Sequence, residues 1–180
     1  MKVFKVGSDS LHDGVSPRID VFDLIAQETV GEMNNGGSVA IVSSAACKFG
    51  RVAMRLDSRD LLTKQVQSTV GQPILMAEWQ RAFTEHDKLV GQVLVTNHLI
   101  QEGSKESKVL LETVYKMFSM GIVPIINEND AVSAEEIIYG DNDQLAAHVA
   151  KIIGAETLHL LGTEDAFFEN YHGEKNVLKK

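Results

Sequence analysis

Apolar residues along this chain follow two alternating rhythms. Short, densely apolar runs, read as strands, lie at Val3 to Val6, Val39 to Val42, Gly91 to Thr96, Ile122 to Ile126 and Thr157 to Leu161. Between them, apolar positions recur every three or four residues. Ile19, Phe22, Ile25, Ala26, Val30 and Met33 predict a helix over 19–34, which Asn34-Asn35-Gly36-Gly37 then stops. Leu61 to Phe83 predicts one or two helices, with a break expected near Gly71-Gln72-Pro73. Ser107 to Ser119 predicts another, and Asp143 to Ile153 a further one with Leu145, Ala146, Val149, Ala150 and Ile153 inward. Pro124 lacks a backbone N–H, so the fourth strand is expected at a sheet edge or to hold the proline near its end.

Strands that alternate with helices predict an α/β fold with a mainly parallel sheet and right-handed crossovers. No repeat, low-complexity tract or linker divides the chain, so residues 1–180 are read as a single domain. Most strands run into Gly, Ser, Thr, Asn or Asp. Ligands of open α/β sheets bind outside the carboxyl ends of strands, so these endings form one candidate site.

Composition narrows the class. A hydrophobic fraction of 44% is that of a globular protein. No apolar run reaches the ~20 residues that span a bilayer, and 1-MKVFKV-6 is too short for a signal peptide, so no membrane partner is expected. The single cysteine, Cys47, excludes an internal disulfide framework and fits a reducing, cytoplasmic setting. A net charge of -8 argues against nucleic acid as a partner, but not against a nucleotide, which needs only local cations and N–H donors. The dispersed histidines have no metal-ligand spacing, so no metal site is read.

Three stretches could carry chemistry. In 5-KVGSDS-10, a lysine ahead of Gly and hydroxyls could present a cation and N–H donors to a phosphate, although no P-loop or G-x-G-x-x-G is present. Taken alone, a plain strand end with a turn glycine is the favoured explanation. In 42-VSSAACKFG-50, Ser43 and Ser44 could cap the helix that follows. The third stretch sets Asn127, Asn129 and Asp130 after a buried strand, and Asp141, Asn142 and Asp143 at a helix start. An acidic loop with one cap accounts for part of this set. Asn donates and accepts while carboxylates accept only, so the whole set could also hold an ammonium and a carboxylate together. One aspartate could instead orient a lysine that stabilises a transferring phosphoryl group. An EF-hand is excluded by the spacing after Asp130.

P-I-I-N-E-N-D-A-V followed by E-I-x-x-G-D-N-D resembles the substrate and catalytic loops of the glutamate 5-kinases, in the amino-acid kinase superfamily. Lys5-Val6-Gly7-Ser8, Val42-Ser43-Ser44, Lys64-Gln65 with Val70-Gly71-Gln72, and Gly91 to Thr96 resemble other pieces of that family, in the same order. The resemblance implies an open three-layer αβα sandwich that uses ATP, with Mg2+ bound through the nucleotide, to phosphorylate the side-chain carboxylate of L-glutamate, the first step of proline biosynthesis. It implies Lys5 and Asp143 as catalytic residues, the aspartate holding the lysine in place. Ser44, Asn127, Asp130, Asp141 and Asn142 would surround glutamate. Lys5, Gly7, Ser8, Gly162 and Thr163 would meet the nucleotide. A homo-oligomer and feedback inhibition by proline would also follow. The chain departs from the pattern at Asp9, where a second hydroxyl is expected, at Ala45, where glycine is expected, at Val109 for an Asn, and at Gly162-Thr163 for a Thr-Asp pair. The family also continues several tens of residues further, with a second lysine and a glycine-rich segment on the nucleotide side. The alternative is therefore a relative or fragment that binds glutamate or proline as a regulatory module.

Overall fold

The computed structural model of the protein describes residues 1–96, 100–133 and 142–162. Along these the elements run β1 (Lys2–Val6), α1 (Ser8–Leu11), α2 (Ile19–Asn34), β2 (Val39–Ser43), α3 (Ala46–Met54), α4 (Leu61–Thr84), β3 (Val90–Val95), α5 (Lys105–Ser119), β4 (Val123–Glu128), α6 (Asp143–Ile153) and β5 (Thr157–Leu161). The strands form one sheet in the order β3-β4-β2-β1-β5, and every neighbouring pair is parallel. The α/β architecture with a parallel sheet is therefore as the alternation of patterns implies.

Period-two alternation along the strands builds both faces of the sheet. Phe4 and Val6 of β1, Val39 and Ile41 of β2, and Val123 and Ile125 of β4 join one core, which also holds Phe22, Phe49, Leu75, Trp79 and Phe83 from α2, α3 and α4. Val3, Ala40, Val42 and Ile126 point the other way, to Leu110 and Val114 of α5 and Leu145, Val149 and Ile153 of α6. Helices on both faces of one sheet make the three-layer sandwich. β1 has β2 on one side and β5 on the other, so the strand order reverses there, and a crevice is expected outside its carboxyl end.

Three local expectations are resolved. Of the two places expected for Pro124 the structure gives the strand end, because β4 is not an edge but lies between β3 and β2. Pro124 is the second residue of β4, and the ladder to β2 begins only at Ile125, so its missing N–H costs no bond on that side. The segment 61–84 is one unbroken helix despite Pro73. Pro73 and Thr69, whose carbonyl the proline leaves without its helical donor, both face solvent, where water can serve that oxygen. And β4 continues through Glu128, which makes Asn127 a strand residue rather than part of a loop.

Two glycines set a close contact between helices. α3 and α4 cross with Gly50 against the backbone of Gln67 and Gly71 against the carbonyl of Ala46. A methyl group at either position would overlap main-chain atoms of the opposite helix, which cannot swing aside as a side chain can. Gly71→Ala should therefore force the helices apart. We expect a loss of about 3 kcal/mol or more in denaturant unfolding, against a gain of up to about 1 kcal/mol for Gly31→Ala, an exposed position inside α2 where nothing lies near.

Candidate functional site

The crevice at the end of β1 gathers most of the polar residues singled out in the sequence. Lys5 is buried, with its ammonium 2.6 Å from Asp143 Oδ1, at the first residue of α6. The chain then turns at Gly7, whose N–H donates to the Leu161 carbonyl at 3.0 Å and so joins the ends of β1 and β5. The Lys5 ammonium lies back over this turn, 4.0 Å from where a Cβ on Gly7 would sit. Ser8 opens α1 beside it. Gly162 follows β5 and is exposed, while Thr163 and Asp141 lie outside the described residues.

A buried amide cluster forms the floor. The Asn142 side chain does not cap α6, although Asn142 is its N-cap residue. Its Nδ2 instead faces the Ser43 carbonyl at 3.1 Å, Ser44 Oγ at 3.1 Å and Asn127 Oδ1 at 2.8 Å. Asn127 Oδ1 also accepts the N–H of Glu128 at 2.9 Å, and Asn127 Nδ2 donates to Gln72 Oε1 of α4 at 2.9 Å. Ser43 Oγ accepts the indole N–H of Trp79 at 2.9 Å. Ser43 and Ser44 are thus used in this network and not as caps for α3, whose N-cap is Ala45 without any side-chain bond. Ala45 stands at φ +88°, a left-handed conformation in which a Cβ is strained. That explains why glycine would be the easier residue there.

Asp130 forms a wall of two cavities. One, of about 240 Å³, also touches Ser8, Ala45, Lys48, Arg51 and Lys64; the other, of about 210 Å³, touches Gln72, Gln92 and Glu128. Gln65 of α4 holds the Asp130 carbonyl at 3.0 Å. Burial, opposed by the Ser68 hydroxyl and reinforced by the Glu128 carboxylate, pushes the Asp130 carboxyl up to about 6. Since the ordinary value is 3.8, the native state holds this proton more tightly than the unfolded chain does. The stability it contributes is present below the ordinary value and is lost as pH rises through about 6. An ammonium beside Asp130 would reverse this, because it favours the ionised form.

Two features escaped the sequence reading. Asp9, out of place near a phosphate, is ion-paired to Lys48 of α3, and Lys48 also donates to the His12 carbonyl at 2.9 Å. Gln72 and Trp79 support the amide floor from α4, a role that no local pattern announces. Cys47 is half-buried against Gln67, and burial raises its thiol above the usual range, in keeping with a small packing residue. Val109 lies away from this crevice, half exposed on α5, in a separate apolar cavity with Leu94 and Ile100. Among the described residues no group of three or more His, Cys, Asp and Glu is placed to hold a metal ion, and no helix is long and apolar enough to cross a membrane.

Known proteins carry the same pattern. The amino acid kinase family matches residues 1–177. The chain is 38% identical over 171 residues to a glutamate 5-kinase of Thermus thermophilus, a match that covers 93% of this chain and 45% of that protein. It is 39% identical over 171 residues to a glutamate 5-kinase of Bifidobacterium longum, covering 92% and 45%, and 35% identical over 173 residues to one of Corynebacterium glutamicum, covering 93% and 46%. The chain thus spans about half the length of the curated relatives it matches.

The strain at Ala45 is open to a direct test. Ala45→Gly should stabilise the fold by about 1 kcal/mol, since relief of the left-handed penalty outweighs the added freedom of the unfolded chain. Chemical denaturation of the two proteins measures the difference, and a loss of stability would contradict the assignment of strain.

Proposed function

The chain belongs to the amino acid kinase family, and on that premise we propose that it phosphorylates the side-chain carboxylate of L-glutamate with MgATP. The observation that carries this reading is the ion pair of buried Lys5 with Asp143 at the switch point of the sheet, next to the amide floor that Asn142 anchors. A fixed cation, a turn of small residues and a polar pocket that ends in a buried carboxylate suit an amino acid on one side and a phosphate on the other.

In this reading Asp130 receives the substrate ammonium. Ser44, Asn127 and Asn142 shape the pocket, with Asp141 assigned to it by resemblance alone. A side-chain carboxylate is already a nucleophile at neutral pH, so no general base is required. Catalysis then depends on position and charge neutralisation. Lys5 would lie against the transferring phosphoryl group and offset its growing negative charge. Asp143 keeps that ammonium at the strand end instead of letting it sample solvent. Gly7 and Ser8, with Gly162 after β5, would meet the nucleotide, and Thr163 is assigned to it by resemblance alone. Mg2+ would arrive on the phosphates and supply further charge neutralisation.

A homo-oligomer belongs to the same reading, and one face supports it. Leu62, Val66, Val70 and Ile74 expose a stripe on successive turns of α4, a patch that the sequence pattern did not single out. Between Leu61 and Ala77 the only charged residue is Lys64. Two copies of a chain of net charge -8 could meet along this face with little repulsion.

The alternative, a glutamate- or proline-binding module without turnover, differs in a measurable way. Calorimetry and ADP release on the purified chain decide between them. Glutamate binding with neither MgATP binding nor glutamate-dependent ADP release would remove the kinase reading and leave the module. In the kinase reading Asp143→Asn lowers kcat by about a hundredfold while KM for glutamate stays within about threefold. Unchanged turnover would remove the role given to Asp143. The Asp130 assignment predicts a pH dependence of its own. Because the proton competes with the substrate ammonium, glutamate affinity falls about tenfold per pH unit below about 6. Affinity that is flat from about pH 7 to about pH 5 would place the ammonium elsewhere.

A further inference from the structure

Asp9 is an awkward residue for a turn that handles phosphate. It lies two positions past Gly7, and its side chain is 76% exposed. An unpaired carboxylate there, four residues after Lys5, would repel an anion approaching the turn, because charges are felt over ~8–10 Å in physiological salt. Lys48 meets it from the first turn of α3. The lysine is more sheltered than its partner, at 20% exposed, and it is held by two acceptors on the segment after β1: Asp9 Oδ1 and the His12 carbonyl. Its direction is therefore set, and it lines the cavity shared by Ser8, Ala45 and Asp130.

The charges around the turn consequently form two pairs, Lys5 with Asp143 and Lys48 with Asp9. They balance while Lys48 is present and leave one negative charge without it. As a contribution to stability, a pair exposed on one side is worth little. Its effect on a polyanion close by is larger, because several phosphate charges act on the same uncompensated carboxylate.

We propose that Lys48 is a positioning residue for phosphate binding: by neutralising Asp9 it keeps the Lys5–Gly7–Ser8 turn open to the polyphosphate of a nucleoside triphosphate. This rests on the kinase reading given above but concerns two residues that reading does not use. The Asp9 substitution and Lys48 then form one unit, in which α3 answers a charge placed after β1.

The test is a calorimetric titration of the whole chain with MgATP and with inorganic tripolyphosphate, at low salt and again as salt is raised. Four variants are compared with the unaltered protein: Lys48→Met, Lys48→Arg, Asp9→Ser, and Asp9→Ser with Lys48→Met. Lys48→Met should weaken both ligands about tenfold, with the deficit shrinking as salt is raised. Lys48→Arg should stay within about twofold, and the double variant should recover to within about twofold of the starting affinity. Asp9→Ser alone should bind severalfold more tightly, which keeps the test intact even if Lys48→Met folds poorly. Unchanged binding in Lys48→Met or in Asp9→Ser would overturn the proposal. So would a double variant as weak as Lys48→Met, because Lys48 would then touch the ligand itself. If the unaltered chain bound neither probe, the kinase reading would fall and this proposal with it; binding that is insensitive to the pair overturns the proposal alone.

Discussion

The Asn142 amide holds three segments of the chain at one buried point. Its Nδ2 reaches the Ser43 carbonyl and Ser44 hydroxyl at the end of β2, and Asn127 Oδ1 on β4, while its own backbone starts α6. A buried amide left without partners would cost about 1–3 kcal/mol, so these groups must be arranged together or not at all. That requirement aligns the ends of β2 and β4 and fixes where α6 begins. Because Asp143 is the next residue, the same clamp aims its carboxylate at Lys5 on β1. The lysine's position therefore depends on an asparagine that need not touch anything bound in the crevice.

Charge is distributed around this clamp in a way that the bulk composition conceals. The chain is acidic overall, yet Lys48, Arg51 and Lys64 line the larger cavity beside Asp130. Near the β1 turn each cation has its own anion. A preorganised set of charges at the mouth of a partly dry pocket acts more strongly than the same charges in water, and needs no rearrangement when an anion arrives. Asp130, in the wall of the same cavity, is by contrast a buried carboxyl that holds its proton more tightly than usual, because burial disfavours its charge.

The close α3–α4 crossing makes this geometry possible. Gly50 and Gly71 let the two helices touch backbone to backbone, which brings Gln65 and Gln72 of α4 to the strand ends and Lys48 of α3 to the β1 turn. Local sequence logic misjudged the same region. Gly71-Gln72-Pro73 has the composition of a helix break, but packing of Leu75, Trp79 and Phe83 against the sheet outweighs the proline, whose free carbonyl partner faces solvent. Ser43 and Ser44 have the composition of helix caps, but buried acceptors and donors across the sheet claim them first.

By itself the sequence determined the layers: period-two runs that are apolar on both faces make buried parallel strands, and the 3.6-residue stripes at 19–34 and 143–153 make the helices that cover them. It also determined which polar side chains lie at element ends, since Ser44 and Asn127 follow the apolar runs of β2 and β4 and Asn142 precedes the apolar stripe of α6. Tertiary structure alone decided how those ends are used. Whether Asn142 caps a helix or clamps two strands, whether Asp9 stands alone or meets Lys48, and whether Asp130 holds its proton all depend on groups 15 to 99 residues apart along the chain. Hydrogen bonds and ion pairs reach only a few ångströms, so such partners become partners only after folding, and a local pattern carries no record of them.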